Sequence, residues 1–274
     1  MANVYVTDTY LSNIADAIRA KNGLSETYRP IEMGPAIDEI NLIGDVTADM
    51  IAMRDFGSSI SGTASKIDKY AFAYCYSLIT ANFSNCTHIG SSAFQYCSSL
   101  TTISFPNCVS IESYAFQCCS SLTTISFPNC TSINNYAFRN CYNLAIVSFP
   151  NCTRIGNYVF SYCYYLTTVS FPSCTNIGAY AFGNCSVLTT ANFPNCSSIS
   201  TNAFRYCYNL LSLYLNGVSS VTSLGTSAFY STPIEGYTTS TGGVYGSVFV
   251  PSSLYSSFIT ATNWASISAR IVSM

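Results

Sequence analysis

The residues best suited to do chemistry are the cysteines, of which the chain has 14 in 274 residues. Thiols at defined spacings can form disulfides, hold a metal or carry a redox reaction, so their spacing is the first clue to their use. Only Cys118 departs from a strict interval of 11 residues. The other thirteen are Cys75, Cys86, Cys97, Cys108, Cys119, Cys130, Cys141, Cys152, Cys163, Cys174, Cys185, Cys196 and Cys207. A long fixed interval is typical of a structural repeat.

The geometry of stacked repeats argues against disulfides and metal sites. Like positions on neighbouring parallel strands lie about 4.8 Å apart, but their side chains point the same way, whereas a disulfide needs them to converge. Metal ligands also seldom recur in an unbroken series. We therefore predict buried, reduced cysteines, no metal and no cofactor, in a cytosol or an anaerobic habitat. Cys118 takes a position held by Tyr74 and Tyr96 in other repeats, which leaves open an exposed, reactive thiol.

Other catalytic groupings are missing from the repeats. His88 is the single histidine, and no Asp or Glu stands near it in its repeat to orient it as a general base. The serines and threonines lack a G-x-S-x-G context, and there is no phosphate loop or dinucleotide-binding fingerprint. The sequence therefore predicts that the chain is not an enzyme.

The elements that carry these residues repeat with a period of 22. One unit, Leu122 to Cys141, reads LTTISFPNCTSINNYAFRNC. Its first half alternates along a short strand, with Ile125 and Phe127 on the inner face and Thr124 and Ser126 on the outer face. Its second half, from the turn-forming Pro-Asn pair to the Ala-Phe pair, returns apolar side chains from the opposite wall.

Such a unit is one coil of a solenoid, because it cannot bury both of its walls without neighbours. We predict an α/β repeat solenoid, a right-handed coil of the leucine-rich-repeat type with parallel stacked strands. Seven regular coils at about 4.8 Å each make a slab roughly 34 Å long.

The repeat pattern L-x-x-I-x-F-P-x-C-x-x-I-x-x-x-A-F-x-x-C resembles the leucine-rich repeats of the BspA-like (Treponema pallidum type) family. The resemblance covers roughly residues 56 to 230 and recurs seven times. The usual glycine before the Ala-Phe segment survives only as Gly90, Gly156 and Gly178, which is a modest departure. The resemblance implies a cell-surface or adhesion scaffold rather than an enzyme.

The two ends of the chain differ from the repeats. Of the 22 charged residues, 16 lie in the first 69 positions. Apolar residues at i, i+3, i+4 and i+7 from Leu11 predict a helix, and a second short helix carries Ile37 and Ile40 after Pro35. The string VTDTYLSNIADAIRAKNG resembles an N-terminal module of tail or surface proteins encoded by prophages of Gram-positive gut bacteria. The predicted divisions are a helical N-terminal module (1–45), a linker (46–57), the solenoid (58–230) and a C-terminal cap (231–274).

The predicted cap consists of a strand at Val248–Val250 and a helix that Pro251 opens, with Leu254, Phe258 and Trp264 on its apolar side. The run VFVPSSLYSSFITATNW resembles the closing cap of BspA-like surface proteins. A solenoid needs such an end, since an uncovered last coil exposes its core and a strand edge.

Outward-facing positions of the stacked strands form an uncharged surface rich in hydroxyl groups. Threonine suits strands, so one interpretation is purely structural. The other is a binding face for a neutral glycan or a protein segment, since extended faces are what solenoids offer for recognition. The candidate residues on this face are Thr102, Ser104, Thr124, Ser126, Ser148, Thr168, Ser170, Thr190 and Asn192.

Tyrosines recur at several other equivalent positions of the repeat. They suggest a second contact site at Tyr142, Tyr162, Tyr164 and Tyr165. Tyrosine gives a large contact area at low entropic cost and is enriched in interfaces. The alternative is a protective lattice of tyrosines over the outer wall of the repeats.

The amino-acid composition argues against some classes of binding partner. Net charge is −2, charged residues make up 8% and no basic run is present, which argues against nucleic acid. No apolar stretch approaches the roughly 20 residues that span a bilayer, and Met1 to Tyr10 lacks the features of a signal peptide. We predict a non-catalytic scaffold that binds a protein or neutral glycan, without membrane insertion, on a prophage tail or bacterial cell surface; a cytoplasmic location is the alternative. The alternative function is a self-assembling structural protein without a separate ligand.

Overall fold

The computed structural model describes residues 58–236 and 244–274, together with the backbone of two short strands, β1 (Val4–Val6) and β2 (Ile40–Leu42). The predicted helix from Leu11 and most of the proposed N-terminal module lie outside the described residues. Ile40 was predicted in a helix and this is wrong, because β2 pairs in parallel with β1 and with the first strand of the solenoid. Strand pairing to neighbours on both sides outweighs a short helical pattern.

The described chain is the parallel-strand solenoid that the repeat predicts, and it has about nine turns where the sequence indicates seven regular coils. Each regular coil contributes one strand to a front sheet and a two-residue strand to a second wall. The front strands are β3 (Ser59–Gly62), β5 (Thr80–Phe83), β7 (Thr102–Ser104), β9 (Thr124–Ser126), β11 (Ile146–Ser148), β13 (Thr168–Ser170), β15 (Thr190–Asn192), β17 (Ser212–Tyr214), β19 (Ser247–Val250) and β20 (Ile271–Ser273). The second wall contains β4 (Lys66–Ile67), β6 (His88–Ile89), β8 (Ser110–Ile111), β10 (Ser132–Ile133), β12 (Arg154–Ile155), β14 (Asn176–Ile177), β16 (Ser198–Ile199) and β18 (Ser223–Leu224).

The register of the strands follows the 22-residue period. Thr80 pairs with Thr102 on the front sheet, and Ile133 pairs with Ile155 on the second wall. The second wall is continuous from β4 to β18, whereas front-sheet pairing is interrupted between β7 and β9 and between β11 and β13. Equal positions of successive coils therefore form straight columns on both walls.

The Ala-Phe segments form a third wall without regular strands, which we call the Ala-Phe wall. Every second backbone N–H group of this wall donates to a carbonyl of the next coil. Phe72 donates to the Ala93 carbonyl at 2.7 Å, and Phe94 donates to the Ala115 carbonyl at 2.7 Å. The intervening groups close local turns, as where Cys75 donates to the Phe72 carbonyl. The backbone of this wall is thus tied both within and between coils.

Phenylalanine columns fill the interior between the three walls. Rings of the Ala-Phe column stack on their equivalents, with Phe94 and Phe116 centroids 5.1 Å apart and nearly parallel. Rings of the front-sheet column stack likewise, and the two columns meet edge to face, as at Phe94 and Phe105. Offset-stacked and edge-to-face contacts are the favoured aromatic geometries. The same two contacts recur in each regular coil, so every coil packs its phenylalanines in the same way.

The C-terminal cap contains the predicted strand and helix. After β19, a 3₁₀ turn leads into helix α1 (Tyr255–Thr260), and a 3₁₀ segment (Ala265–Arg270) precedes β20. Trp264 lies beyond the end of α1 rather than on its apolar side, yet it is buried and its indole N–H donates to the Thr222 carbonyl at 2.6 Å. In the part of the chain that the structure describes, no helix has the length and apolar character needed to cross a bilayer.

Candidate functional site

The thiols of the repeat are structural hydrogen-bond donors. Thirteen cysteines are buried, as predicted, and Cys118 is half-buried. In the Ala-Phe column, Cys97 donates to the Phe72 carbonyl of the preceding coil at 3.0 Å. In the other column, Cys130 donates to the Ser132 carbonyl two residues on at 3.2 Å. Each thiol therefore fills a small apolar space and donates to a carbonyl. In the Ala-Phe column that carbonyl also accepts a backbone N–H, as the Phe72 carbonyl does from Cys75.

Burial makes these thiols weak acids. It raises the pKa of Cys130 to about 12 and that of Cys174 to about 11, against 9.0 for an unperturbed thiol. Deep burial raises the pKa of Cys141 well above the ordinary value. A reactive cysteine needs a lowered pKa and access to solvent, so these thiols are poor nucleophiles.

Of the other titratable groups in the described residues, His88 and Glu235 lie far apart along the solenoid. His88 is exposed on β6, and its Nδ1 lies 2.8 Å from the hydroxyl of Thr87. A cleft of about 200 Å³ between the last coil and the cap has Glu235 as its one titratable lining residue. Within residues 58–236 and 244–274, no group of three or more His, Cys, Asp or Glu side chains is placed to hold a metal.

The front sheet presents its predicted hydroxyl columns outward. The nine candidate residues lie on β7 to β15; Thr190 and Asn192 are half-buried and the other seven are exposed. Inner positions of the same strands, such as Ile125 and Val169, are buried. Strict alternation of this kind turns every second side chain of a strand to one face.

Most front-sheet hydroxyls are free. Among described residues, those of Ser104, Thr124, Ser126, Ser148 and Thr168 make no hydrogen bond within the protein. By contrast, Ser170 accepts one from the Asn192 amide at 3.2 Å. The surface therefore offers donors and acceptors to a partner without breaking internal bonds.

Polar side chains elsewhere in the repeat are tied to the backbone. At the start of the second wall, Thr153 donates to the Thr131 carbonyl and Thr175 donates to the Thr153 carbonyl, each at 3.1 Å. In the Pro-Asn turns, Asn151 donates to the Pro128 carbonyl at 2.7 Å. These ladders stabilise coil stacking, and a similar one precedes the front strands, where Thr189 donates to the Thr167 carbonyl at 3.1 Å. By contrast, most outward-facing hydroxyls on β7 to β13 are not used in this way.

The structure brings three of the four predicted tyrosines into ring contact. Tyr142 and Tyr164 stack with centroids 5.6 Å apart, and Tyr162 meets Tyr164 edge to face at 6.1 Å. Tyr165 is 60% exposed and makes no ring contact within the described residues. Ile146 on β11 is also 60% exposed, although sequence reasoning did not single it out as an apolar surface residue.

Tyrosine columns on the Ala-Phe wall are more ordered than the sequence indicates. Tyr114, Tyr136, Tyr158 and Tyr180 form one stack with centroid separations of 4.7 to 4.9 Å. Burial and the neighbouring rings of Tyr180 and Tyr136 raise the pKa of Tyr158, so its phenol stays protonated. Arg139 lies among these rings and was missed; the signal in the sequence was an arginine inside an almost uncharged repeat.

Comparisons with known proteins agree with this architecture. A family model described as "BspA type Leucine rich repeat region", in six copies, matches residues 58–145 and 131–253. A leucine-rich repeat protein of T. pallidum is 24% identical, with a TM-score of 0.47, over 74% of this chain and 83% of that chain. One from Bacteroides ovatus is 20% identical, with a TM-score of 0.44, over 75% of this chain and 66% of that chain. A search of curated proteins gives no match.

At these TM-scores and identities, nothing about the ligand follows from the solved structures. The family model rests on the repeat itself, and its two matched ranges together span well over half of the residues. The chain therefore belongs to the BspA-type leucine-rich repeat family.

Proposed function

We propose that the chain is a recognition scaffold whose front sheet binds a neutral glycan or a protein segment. The observation that carries the proposal is a contrast between positions. Outward-facing hydroxyls on the front strands, such as those of Thr124 and Thr168, make no hydrogen bond within the described residues, whereas those just before a strand, such as Thr131 and Thr153, are bonded to the backbone. A hydroxyl needed only for stacking would be expected to bond like the latter pair. Leucine-rich repeat scaffolds typically bind proteins, which favours the same conclusion.

The tyrosines beside the front sheet extend this proposed face. Tyr142 is 40% exposed and Tyr164 is 39% exposed, and both stand at the corner next to the hydroxyl columns. Burial and the ring of Tyr142 raise the pKa of Tyr164, so its hydroxyl remains a donor at neutral pH. Rigid tyrosines next to small hydroxyl side chains resemble the composition of antibody contact surfaces.

The proposed location is a bacterial cell surface or a prophage tail. BspA-like proteins are often surface-associated, and the N-terminal string resembles modules of prophage tail and surface proteins. In this proposal the charged N-terminal segment attaches the chain to a larger assembly, and the solenoid faces outward.

Isosteric variants of the full chain test the front sheet. Thr124→Val with Thr168→Val removes two free hydroxyls while keeping shape and strand preference, and Thr131→Val with Thr153→Val removes two bonded ones. On arrays of neutral glycans and on intact bacterial and epithelial cells, we expect the front pair to weaken binding about tenfold at unchanged melting temperature. The second pair should lower stability and leave binding unchanged. Absence of binding to every surface at micromolar protein, or equal loss for both pairs, would contradict the proposal.

Self-assembly is a second candidate because Ile146 and Tyr165 are each 60% exposed. Exposed apolar side chains beside a regular sheet can pack against a second copy. Light scattering separates the two functions: a mass that stays monomeric over a hundredfold concentration range excludes self-assembly, and growth that Ile146→Thr abolishes supports it.

A further inference from the structure

The Ala-Phe wall carries arginine where most coils carry a neutral residue. The position after each Ala-Phe phenylalanine holds Gln117, Arg139, Ser161, Gly183 and Arg205 in successive coils. Tyrosines two positions before or after the phenylalanine, such as Tyr136 and Tyr162, flank it, and Tyr230 takes the arginine position itself in the coil after Arg205. We call Arg139, Arg205 and their flanking tyrosines the Tyr-Arg column; its tyrosines are Tyr136, Tyr158, Tyr162, Tyr206 and Tyr230.

Within the described residues, the Arg139 side chain is held by aromatic rings and makes no hydrogen bond. Its guanidinium carbon lies 5.7 to 5.9 Å from the ring centroids of Tyr136, Tyr158 and Tyr162. Its Nε is buried and has no hydrogen-bond partner. A buried N–H without an acceptor is costly, so the rings that enclose the guanidinium hold it in place without satisfying it.

Arg205 repeats the arrangement three coils further on. Its guanidinium carbon lies 4.7 Å from the ring centroids of Tyr206 and Tyr230. It donates to the Tyr206 hydroxyl at 2.9 Å and more weakly to Asn202. Three coils at about 4.8 Å place the two guanidinium groups roughly 14 Å apart along the wall, with only the small Ser161 and Gly183 between them in the column.

Neither arginine has a carboxylate to neutralise it. Residues 113–234 contain no Asp or Glu, and the ion pair found in the described residues joins Lys66 to Asp68, three coils before Arg139. The same stretch contains three arginines, so it has a charge of +3 in a chain whose net charge is −2. Charge complementarity thus favours an anionic partner.

The backbone N–H groups and the tyrosine rings of the Ala-Phe wall indicate which class of anionic partner fits it. Alternate backbone N–H groups, such as that of Phe160, bond to the next coil and the others close turns, so an extended peptide finds no main-chain partner. Ring faces in the Tyr136–Tyr158 stack cover one another at 4.9 Å, so a neutral sugar finds no open face to stack on. What remains are guanidinium and phenol donors, which suit a polymer rich in oxygen acceptors and negative charge.

We propose that the Tyr-Arg column binds an acidic polysaccharide, with one carboxylate or sulfate group at each of Arg139 and Arg205. The site lies on a different wall from the front sheet and takes a ligand of opposite character, so it goes beyond the proposed function. Contact with the carboxylate or sulfate falls to the terminal guanidinium nitrogens, because Arg139 Nε is buried.

Glutamine variants of the full chain test this site, because Gln95 and Gln117 fill the same position in neighbouring coils and indicate that the fold accepts them. Calorimetric titration with hyaluronate and with chondroitin sulfate should show binding that weakens with added salt. Arg139→Gln with Arg205→Gln should weaken it at least about tenfold. Arg154→Gln removes the same charge from the second wall and should change it less than about twofold.

Three results would overturn the proposal. They are no binding of either polysaccharide, an equal loss for Arg154→Gln, and binding of poly-L-glutamate as tight as that of hyaluronate, which would assign the site to acidic peptides. Thr124→Val with Thr168→Val serves as a further control. It should leave polysaccharide binding unchanged, so failure here and failure of the front-sheet proposal are distinguishable.

Discussion

At the residue scale, the buried thiols show how one small side chain meets two needs at once. Cys119 and Cys141 are fully buried, and each donates S–H to a phenylalanine carbonyl of the preceding coil. Alanine would fill the space without the hydrogen bond, and serine would be costlier to bury. Cysteine thus fits the place between an apolar core and a backbone carbonyl.

Raised thiol pKa values predict alkaline sensitivity. A thiol that ionises near pH 9.0 in the unfolded chain and only near 12 in the fold, as at Cys130, stabilises the fold fully below pH 9 and loses that contribution as pH rises towards 12. Each such thiol lowers the free energy of unfolding by about 1.4 kcal/mol between pH 8 and pH 10. Urea denaturation under reductant at both pH values measures the loss.

Cys130→Ala provides the matched control for this titration. Its cavity cost does not depend on pH, so the gap between the variant and the wild type should narrow by about 1.4 kcal/mol from pH 8 to pH 10. A gap that stays constant would mean that the thiol ionises equally in the folded and unfolded chains.

Phe138 tests the stacked core. Its ring lies 5.2 Å from Phe116 and 5.6 Å from Phe160, centroid to centroid, and it is fully buried. Phe138→Ala should lower the free energy of unfolding by about 3–5 kcal/mol, because neighbouring coils cannot close the cavity. Tyr142→Ala, at an exposed position, should cost less than about 1 kcal/mol by the same denaturation measurement. A Phe138→Ala melting temperature equal to the wild type would refute the packing.

At the element scale, the strands were predictable and the Ala-Phe segments were not. Alternation such as Ile125 and Phe127 inward against Thr124 outward indicates a strand directly. In the Ala-Phe segments, by contrast, Tyr136 and Tyr158 adopt positive φ values of 63° and 58°. Tyrosine has no preference for the left-handed region, which costs an L-residue roughly 1–2 kcal/mol, so only the stacked coils can impose it.

The same reasoning explains which parts of the candidate surfaces were predictable. The hydroxyl columns follow from strand alternation and a fixed period, so the residues around Thr124 and Ser126 were placed correctly. The freedom of their hydroxyls depends on distances between coils, and the position of Arg139 depends on rings that come from the next coil. Strand β20 was not predicted from the sequence, because its three residues form a strand only through pairing with β19.

The cap offers a test at this scale. Trp264 is buried against Phe258 and Phe229, and its indole N–H satisfies the buried Thr222 carbonyl. Trp264→Phe keeps most of the packing but leaves that carbonyl unpaired, so it should cost about 1–3 kcal/mol in thermal or chemical unfolding. Thr262→Ala, at an exposed neighbouring position, should change stability little. Equal melting curves for both variants would show that the cap does not close the solenoid through this bond.

At the scale of the whole molecule, the three walls differ in whether their polar side chains bond to neighbouring coils or are exposed to a partner. The threonines just before the second-wall strands and the Pro-Asn turns hold coils together through side-chain ladders. The front sheet leaves hydroxyls free, and the Ala-Phe wall concentrates tyrosine and arginine. Because each coil contacts mainly its neighbours, a change in one column alters a surface without altering the fold.

The central claim is that 22 residues, and not the 11 of the cysteine spacing, make one equivalent coil. Deleting residues 86–107 joins Asn85 to Cys108 and removes one whole coil, whereas deleting residues 86–96 joins Asn85 to Cys97 and keeps the cysteine interval. Thermal unfolding followed by circular dichroism compares the two. We predict a folded, cooperative protein for the longer deletion and loss of the cooperative transition for the shorter one, which lacks β6 and Phe94. Equal tolerance of both deletions would contradict the account.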